Sequence, residues 1–251
     1  MTSNLFSLEG KNALVTGGNA GLGQAAAVAL AEAGADIVSV SRRDAGETEA
    51  KVRALGRRFS NIEADLGQAK SEDIVAKAEQ VLGGIDILVN NAGIIRRADA
   101  DQFSEADWDA VIDVNLKAAF FLAQAVGKRM LARKTGKIIN VASMLSFQGG
   151  VRVASYTAAK SGLAGITRLL ANEWAARGVN VNAIAPGYME TDNTAALRED
   201  AKRNADILAR IPAGRWGAPS DLAGAAIFLA SRASDYVHGA IIPVDGGWLA
   251  R

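Results

Sequence analysis

Tyr156 and Lys160 stand four residues apart near the start of a predicted helix, so they share one face of it. A tyrosine with its ordinary pKa of about 10 is a poor base at neutral pH. An ammonium beside it favours the phenolate and lowers that value, which would make Tyr-x-x-x-Lys a general acid/base. The spacing alone more often marks a packed ring and a solvated amine. Ser143 follows a predicted strand, and ligands of parallel sheets gather at the carboxyl ends of strands. Its hydroxyl could hold a substrate oxygen beside the tyrosine, or complete an ordinary turn. Asn90-Asn91-Ala92-Gly93 ends another strand, and Asn115 falls in a later helix. Buried asparagines commonly tie backbone elements together, and that structural role is the expected one for Asn90 and Asn91.

A second constellation lies near the N-terminus. Thr16-Gly17-Gly18-Asn19-Ala20-Gly21-Leu22-Gly23 follows the first strand and opens the first helix. Glycines there permit a tight turn and a close approach of backbone to a pyrophosphate. The N–H groups and dipole at the helix start then stabilise its negative charge. The same glycines would also suit a strand–helix turn that binds nothing.

The elements that must carry these residues alternate along the chain. Apolar, β-branched runs occupy 13–16, 37–41, 85–90, 137–142, 179–185 and 240–244, with a weaker seventh candidate at 58–64. Between them lie helix-like segments, including 21–33, 69–82, 105–130, 154–177 and 220–230. This alternation predicts an α/β fold, a doubly wound Rossmann-type parallel sheet of seven strands with helices on both faces. Residues 1–251 form one expected nucleotide-binding domain, with 186–219, which carries a weak helix, as a long mobile substrate loop. The formal charge of +1 leaves no basic surplus for nucleic acid. With no cysteine and only His238 as histidine, thiolate chemistry, disulfides and a histidine-rich metal site drop out, and no metal is expected. Residues 1–10 carry no apolar signal core, and no uninterrupted apolar run approaches the ~20 residues of a membrane span. A protein of the cytosol, without a membrane partner, is the expected reading.

Taken in order, these motifs resemble the short-chain dehydrogenase/reductase family. The likeness covers Thr-Gly-x-x-x-Gly-x-Gly at 16–23, Asp65, Asn-Asn-Ala-Gly at 90–93, Asn115, Ser143, Tyr156 with Lys160, Pro186-Gly187 with Thr191, and Asp245-Gly246-Gly247 near the end. The resemblance implies an NAD(P)-dependent oxidoreductase. Tyr156 would exchange a proton with the substrate oxygen, and Ser143 would orient that oxygen. Lys160 would lower the tyrosine pKa and bind the nicotinamide ribose, and Asn115 would hold a water in a proton relay. Gly17, Asn19, Gly21, Leu22 and Gly23 would cradle the pyrophosphate. Asp65 and Leu66 would meet the adenine, Asn91, Ala92 and Gly93 its ribose, and Pro186, Gly187 and Thr191 the nicotinamide and its phosphate.

Substrate and cofactor choice are read from the flanks. Gln148 and Arg152 lie between the serine and the tyrosine, and Arg96 and Arg97 follow the Asn-Asn-Ala-Gly turn. A guanidinium suits a carboxylate bidentately, so a sugar acid fits better than a steroid or a long acyl chain, with Gln148 on a hydroxyl. The same arginines could be solvated, or paired with Asp99 and Asp101. Segments such as 142–150, 94–97 and 210–217 resemble bacterial members of the family that interconvert a 3-deoxy-hexulosonate with its diketo form. A broader carbonyl reductase, such as a 3-oxoacyl carrier-protein reductase, and a non-catalytic relative are the alternatives. Ser41, Arg42 and Arg43 end the second strand where an acidic residue would select NAD. Without that charge, and with guanidinium groups to meet a 2′-phosphate, the pattern favours NADP(H). NAD(H) is the alternative, since Asp44 follows and could neutralise an arginine or turn toward the ribose. The apolar helix 115–130 and the helix 154–177 predict a homo-oligomer, by resemblance a tetramer.

Overall fold

The structure, a computed structural model, describes residues 5–251, so the first four residues of the segment 1–10 lie outside it. Seven strands, β1 (Asn12–Thr16), β2 (Asp36–Ser41), β3 (Phe59–Glu63), β4 (Ile87–Asn90), β5 (Gly136–Val141), β6 (Val179–Pro186) and β7 (Ile241–Val244), form one sheet. Its spatial order is β3-β2-β1-β4-β5-β6-β7, and every pairing is parallel, as the alternation predicts. Strands β2 and β6 are buried along their whole length, and their apolar residues are interrupted by Asp36, Ser39 and Ser41 in β2 and by Asn180 and Asn182 in β6.

The helices are α1 (Gly21–Glu32), α2 (Gly46–Ala54), α3 (Ser71–Leu82), α4 (Glu105–Ile112), α5 (Ala118–Arg133), α6 (Ala154–Trp174), α7 (Ala195–Glu199), α8 (Ala201–Arg210) and α9 (Ala223–Ala230). They make two cores. On one face, Ala27 and Leu30 of α1 and Leu229 of α9 pack on Val15, Ile37 and Val89. On the other, Val75 of α3, Leu122 and Val126 of α5 and Leu170 of α6 pack on Leu14, Val38, Leu88 and Ile138. Successive strand residues point to opposite faces, so Leu14 and Val15 serve different cores. The chain proceeds outward from β1 to β3 and then in the opposite direction from β4 to β7. The carboxyl ends of β1 and β4 therefore flank the switch point, where open α/β sheets hold their ligands.

Three stretches differ from the sequence expectation. The helix expected over 105–130 is broken by one wide turn, Asp113–Lys117, in π geometry between α4 and α5. The whole run 105–133 is long and apolar enough to cross a membrane, but half of its apolar window is buried, and it serves as a core helix against α3 and β4. Helix α2 has little apolar periodicity; Asp44 accepts the Gly46 N–H at 3.0 Å at its start, and Lys51–Glu47 and Arg53–Glu49 pairs line it. Finally, 186–219, where one weak helix is expected, contains two, α7 and α8. Asp200 caps α8 by accepting the Arg203 N–H at 3.0 Å. Ile207 turns inward with Ile211 and Trp216 to meet Met144 and Trp248 of the main body.

Candidate active site

The glycine turn is shaped for an anion. Gly17 and Gly21 adopt φ of +68° and +53°, in the left-handed region that disfavours side chains. A Cβ on Gly17 would stand 3.0 Å from Asn91 Nδ2, and one on Gly23 would run into the Gly17 carbonyl. The turn is thus closed to any residue larger than glycine at these positions. Helix α1 opens behind it with no side-chain cap and no acidic residue in its first turn. Its first N–H groups and positive dipole end are left for a phosphate. These features fit a dinucleotide. Asn19 and Leu22 complete the turn, Asn19 accepting from Gln24 at 3.4 Å and Leu22 packing into the core below α1. Thr191 roofs it, its methyl 3.6 Å from where a Gly21 Cβ would be.

Across the switch point, Thr16 fixes the end of β4. Its hydroxyl accepts the N–H groups of Asn91 and Ala92 at 3.0 and 2.9 Å, and the Asn91 amide donates to the Thr16 carbonyl at 3.0 Å. The Asn90 amide bridges Ala119 and Asn140, both at 3.0 Å. Both asparagine side chains are therefore fastening the backbone, as expected. Gly93 passes close under Asn115, where a Cβ would lie 3.3 Å from Oδ1. Pro186 ends β6, and Gly187 donates to the Val244 carbonyl at 2.9 Å, too near Asp245 to admit a side chain.

At the far end of β2 the Ser41 hydroxyl is turned inward, bonded to the Arg43 carbonyl at 2.7 Å and to Asn61 at 3.0 Å. It holds the Arg42–Arg43 turn in place. Arg42 extends toward Asp65 with 3.9 Å between charges, and Arg43 is exposed. Asp65 also accepts the Gly67 N–H at 2.9 Å, and Leu66 beside it packs on the core.

The π turn presents Asn115 inward, 1% exposed. Its Oδ1 accepts the Ile94 N–H at 2.8 Å and its Nδ2 donates to the Ile94 carbonyl at 2.9 Å. The side chain is thus a two-point clamp on the segment that follows β4. Ser143 leaves β5 and caps the next turn, accepting the Leu145 N–H at 3.2 Å. Tyr156 and Lys160 project from the first turns of α6, with Lys160 Nζ 5.6 Å from the tyrosine ring centroid. Lys160 is 3% exposed and donates to the Val141 carbonyl at 2.5 Å. Burial pulls its pKa from 10.5 down to about 8. Burial pushes the Tyr156 phenol up, while the Ser143 hydroxyl and the Arg97 guanidinium pull it back down. The expected lowering is thus exerted here by Ser143 and Arg97, against a larger desolvation effect, and the lysine ammonium is turned to Val141.

The arginines expected at the substrate divide. Arg96 pairs with Asp107 at 3.1 Å and Arg152 with Asp99 at 3.1 Å. Arg152 adopts φ +64°, and its carbonyl accepts the Ala98 N–H at 3.1 Å, so the two loops are clasped together. Arg97, between these clasps, pairs with no carboxylate among the described residues and donates to the Asn193 carbonyl at 3.0 Å. Gln148 accepts from the Trp248 indole at 3.3 Å and from Arg210 at 3.5 Å. Arg210, Trp248 and Tyr188 were not expected here. Tyr188 stacks edge-on against Trp248 and Trp216, with centroids 4.8 and 5.3 Å apart. The signal was the uneven placing of tryptophan, two of the four falling in the last 36 residues.

The family model described as enoyl-(acyl carrier protein) reductase matches residues 17–249. The 2-dehydro-3-deoxy-D-gluconate 5-dehydrogenase of Escherichia coli is 59% identical, and the alignment covers 100% of both chains. A solved structure from Agrobacterium tumefaciens, described as a 2-deoxy-D-gluconate 3-dehydrogenase with bound NADP, is 61% identical with a TM-score of 0.93, covering 99% of this chain and 100% of that one. A gluconate 5-dehydrogenase from Burkholderia cenocepacia, solved with NADP and tartrate, is 42% identical with a TM-score of 0.94, covering 99% and 98%.

Proposed function

The chain belongs to the short-chain dehydrogenase/reductase family and is an oxidoreductase working with a nicotinamide cofactor; from that premise we propose that it oxidises the C5 hydroxyl of 2-dehydro-3-deoxy-D-gluconate to a ketone and, in the reverse direction, reduces the C5 ketone of that diketo product. The convergence of Ser143, Tyr156 and buried Lys160 beside the switch point carries this reading. The full-length similarity to enzymes of that name supports the substrate. The cofactor, when bound, supplies or accepts the hydride.

This chain's residues handle the oxygen and its proton. In the oxidative direction Tyr156 takes the proton from the substrate hydroxyl, and Ser143 donates a hydrogen bond to the oxygen as it loses it. The Ser143 hydroxyl and the Arg97 guanidinium favour the phenolate against the cost of burial, and Lys160, a buried ammonium 5.6 Å from the tyrosine ring, is the cation proposed to meet the nicotinamide ribose. Asn115 holds Ile94 and the loop behind it in register.

NADP(H) is the proposed coenzyme. Support comes from the exposed Arg42 and Arg43 after β2, the absence of a carboxylate at position 41, and the use of Asp44 at the start of α2. The relatives solved with NADP point the same way. We further read the chain as one nucleotide-binding domain of a cytoplasmic homotetramer. Phe121 of α5 and Leu169 of α6, 45% and 49% exposed, are the apolar groups that a two-fold four-helix contact would cover.

The test is turnover of 2-dehydro-3-deoxy-D-gluconate, 2-deoxy-D-gluconate and D-gluconate, followed at the nicotinamide absorbance, in wild type and in Tyr156→Phe. The first substrate should give the highest kcat/KM. Phenylalanine keeps the ring's packing and removes the proton carrier, so turnover should fall by roughly 10²–10⁴-fold with cofactor affinity retained. A Phe variant with most of the wild-type rate would remove Tyr156 from the chemistry.

A further inference from the structure

Arg210 closes α8 with its guanidinium over the Trp248 ring, Cζ 4.0 Å from the ring centroid. Trp248 is a rigid platform: it is 4% exposed, braced by Tyr188, and in the same apolar cluster as Met144. The carboxyl end of α8 is also tied down, since Arg251 donates to the Ala209 carbonyl at 2.6 Å. Gln148 completes the group. Its Oε1 accepts from both the indole N–H and Arg210, at 3.3 and 3.5 Å. With the amide oxygen occupied by two donors, the amide NH2 faces away from both, and it has no acceptor among the described residues. Arg210 likewise pairs with no carboxylate among the described residues, and only one of its five N–H groups has an acceptor. An exposed set of donors on a fixed aromatic support, with no acceptor of its own, is made for an anionic oxygen pair.

We propose that Arg210 and Gln148, seated on Trp248, form the subsite that grips the carboxylate of the substrate. The inference rests on the sugar-acid reading above. Partners and reach favour it over the other arginines considered for the substrate. The Gln148 N–H donates to the Met144 carbonyl at 3.2 Å, so the subsite begins one turn beyond Ser143. In a six-carbon acid reacting at C5 the carboxyl carbon lies about 5 Å from the reacting carbon, four bonds along the chain. The anchor must therefore stand off from Tyr156. Arg97 lies within electrostatic reach of the phenol and serves the reacting end. Arg96 and Arg152 already have carboxylate partners. Because Arg210 belongs to α8 and Gln148 to the segment after β5, one carboxylate would be held between two elements that already meet at Gln148.

The experiment compares 2-dehydro-3-deoxy-D-gluconate with its C1 amide in wild type and in Arg210→Met. Methionine keeps an unbranched apolar stem on Trp248 and removes the charge. Loss of one charge-assisted bond predicts a roughly 10- to 100-fold rise in KM for the acid. KM for the amide and Kd for NADP(H) should stay within about twofold of wild type. Gln148→Leu, which removes the NH2 and the acceptor of Arg210 and Trp248 while leaving the guanidinium charge in place, should shift the same acid-to-amide ratio in the same direction, and it stands in if the first variant folds poorly. An unchanged acid KM, an equal rise for acid and amide, or a loss of discrimination in Arg97→Met alone would overturn the assignment. A wild type that itself fails to prefer the acid would instead sink the sugar-acid reading, and this subsite with it.

Discussion

Replacing Lys160 by methionine should stabilise the fold while ending catalysis. The ammonium is 3% exposed, and burial takes its pKa from 10.5 to about 8. At about 1.4 kcal/mol per pKa unit, keeping it charged at pH 7 costs the folded chain about 3 kcal/mol relative to the unfolded one. Methionine keeps the unbranched stem and removes that cost. Against the gain stands the bond from Nζ to the Val141 carbonyl, whose loss leaves a buried acceptor wanting at about 1–3 kcal/mol. The balance is a stabilisation of about 1 kcal/mol at pH 7, modest but measurable. The pH dependence is the sharper test. The folded pKa lies below the unfolded one, so between about pH 8 and 10.5 the unfolded chain binds the extra proton and wild-type stability rises with pH. Wild type should recover about 2 kcal/mol between pH 7 and pH 10, cancelling and then reversing the variant's advantage. Urea unfolding of both proteins at the two pH values, read as a difference, removes titrations common to both. A difference that does not move with pH would refute the burial argument. An active variant would refute the role assigned to Lys160.

Two further outcomes follow from the cofactor side. Arg42→Ala should lower kcat/KM for NADPH by about tenfold and leave NADH nearly untouched, the loss of one exposed charge-assisted contact to a phosphate; a wild type that prefers NADH, unmoved by the substitution, would end the phosphate-clamp argument. Gly23→Ala would drive a methyl into the Gly17 carbonyl and the Asn91 side chain. It should cost roughly 1–3 kcal/mol in thermal unfolding and weaken NADP(H) binding in calorimetric titration, and full affinity would show that the turn adapts.

The sheet was legible because buried parallel strands carry their signal in composition alone. Even β3, with its Ser-Asn interruption, read as a weak candidate, since Phe59 and Ile62 are its buried residues. What composition could not convey was local departure from regular geometry. The run through Asn115 has helical periodicity on both sides, and no residue type marks the wide turn that swings Asn115 toward Ile94. Helix α2 was missed for the opposite reason: its stability lies in surface ion pairs and the Asp44 turn, which leave no apolar stripe.

The site divides along the same line. Glycines, Tyr156 and Lys160 act through the backbone or within one helix, so their spacing is preserved in the sequence. The arginines act through partners brought from elsewhere. Arg96 and Arg97 are neighbours and chemically identical, yet Asp107 neutralises one and the Asn193 carbonyl leaves the other charged beside Tyr156. Arg152 pairs with Asp99, 53 positions earlier, as part of a clasp that exists only once two loops meet. Arg210 depends on Trp248, which only the return of the chain through β7 brings beneath α8. An arginine is available to a substrate when folding denies it a carboxylate, and that denial is a property of three-dimensional neighbours. The chemistry of the proton is therefore readable from spacing, while the choice of substrate is settled by which guanidinium groups the fold leaves unneutralised.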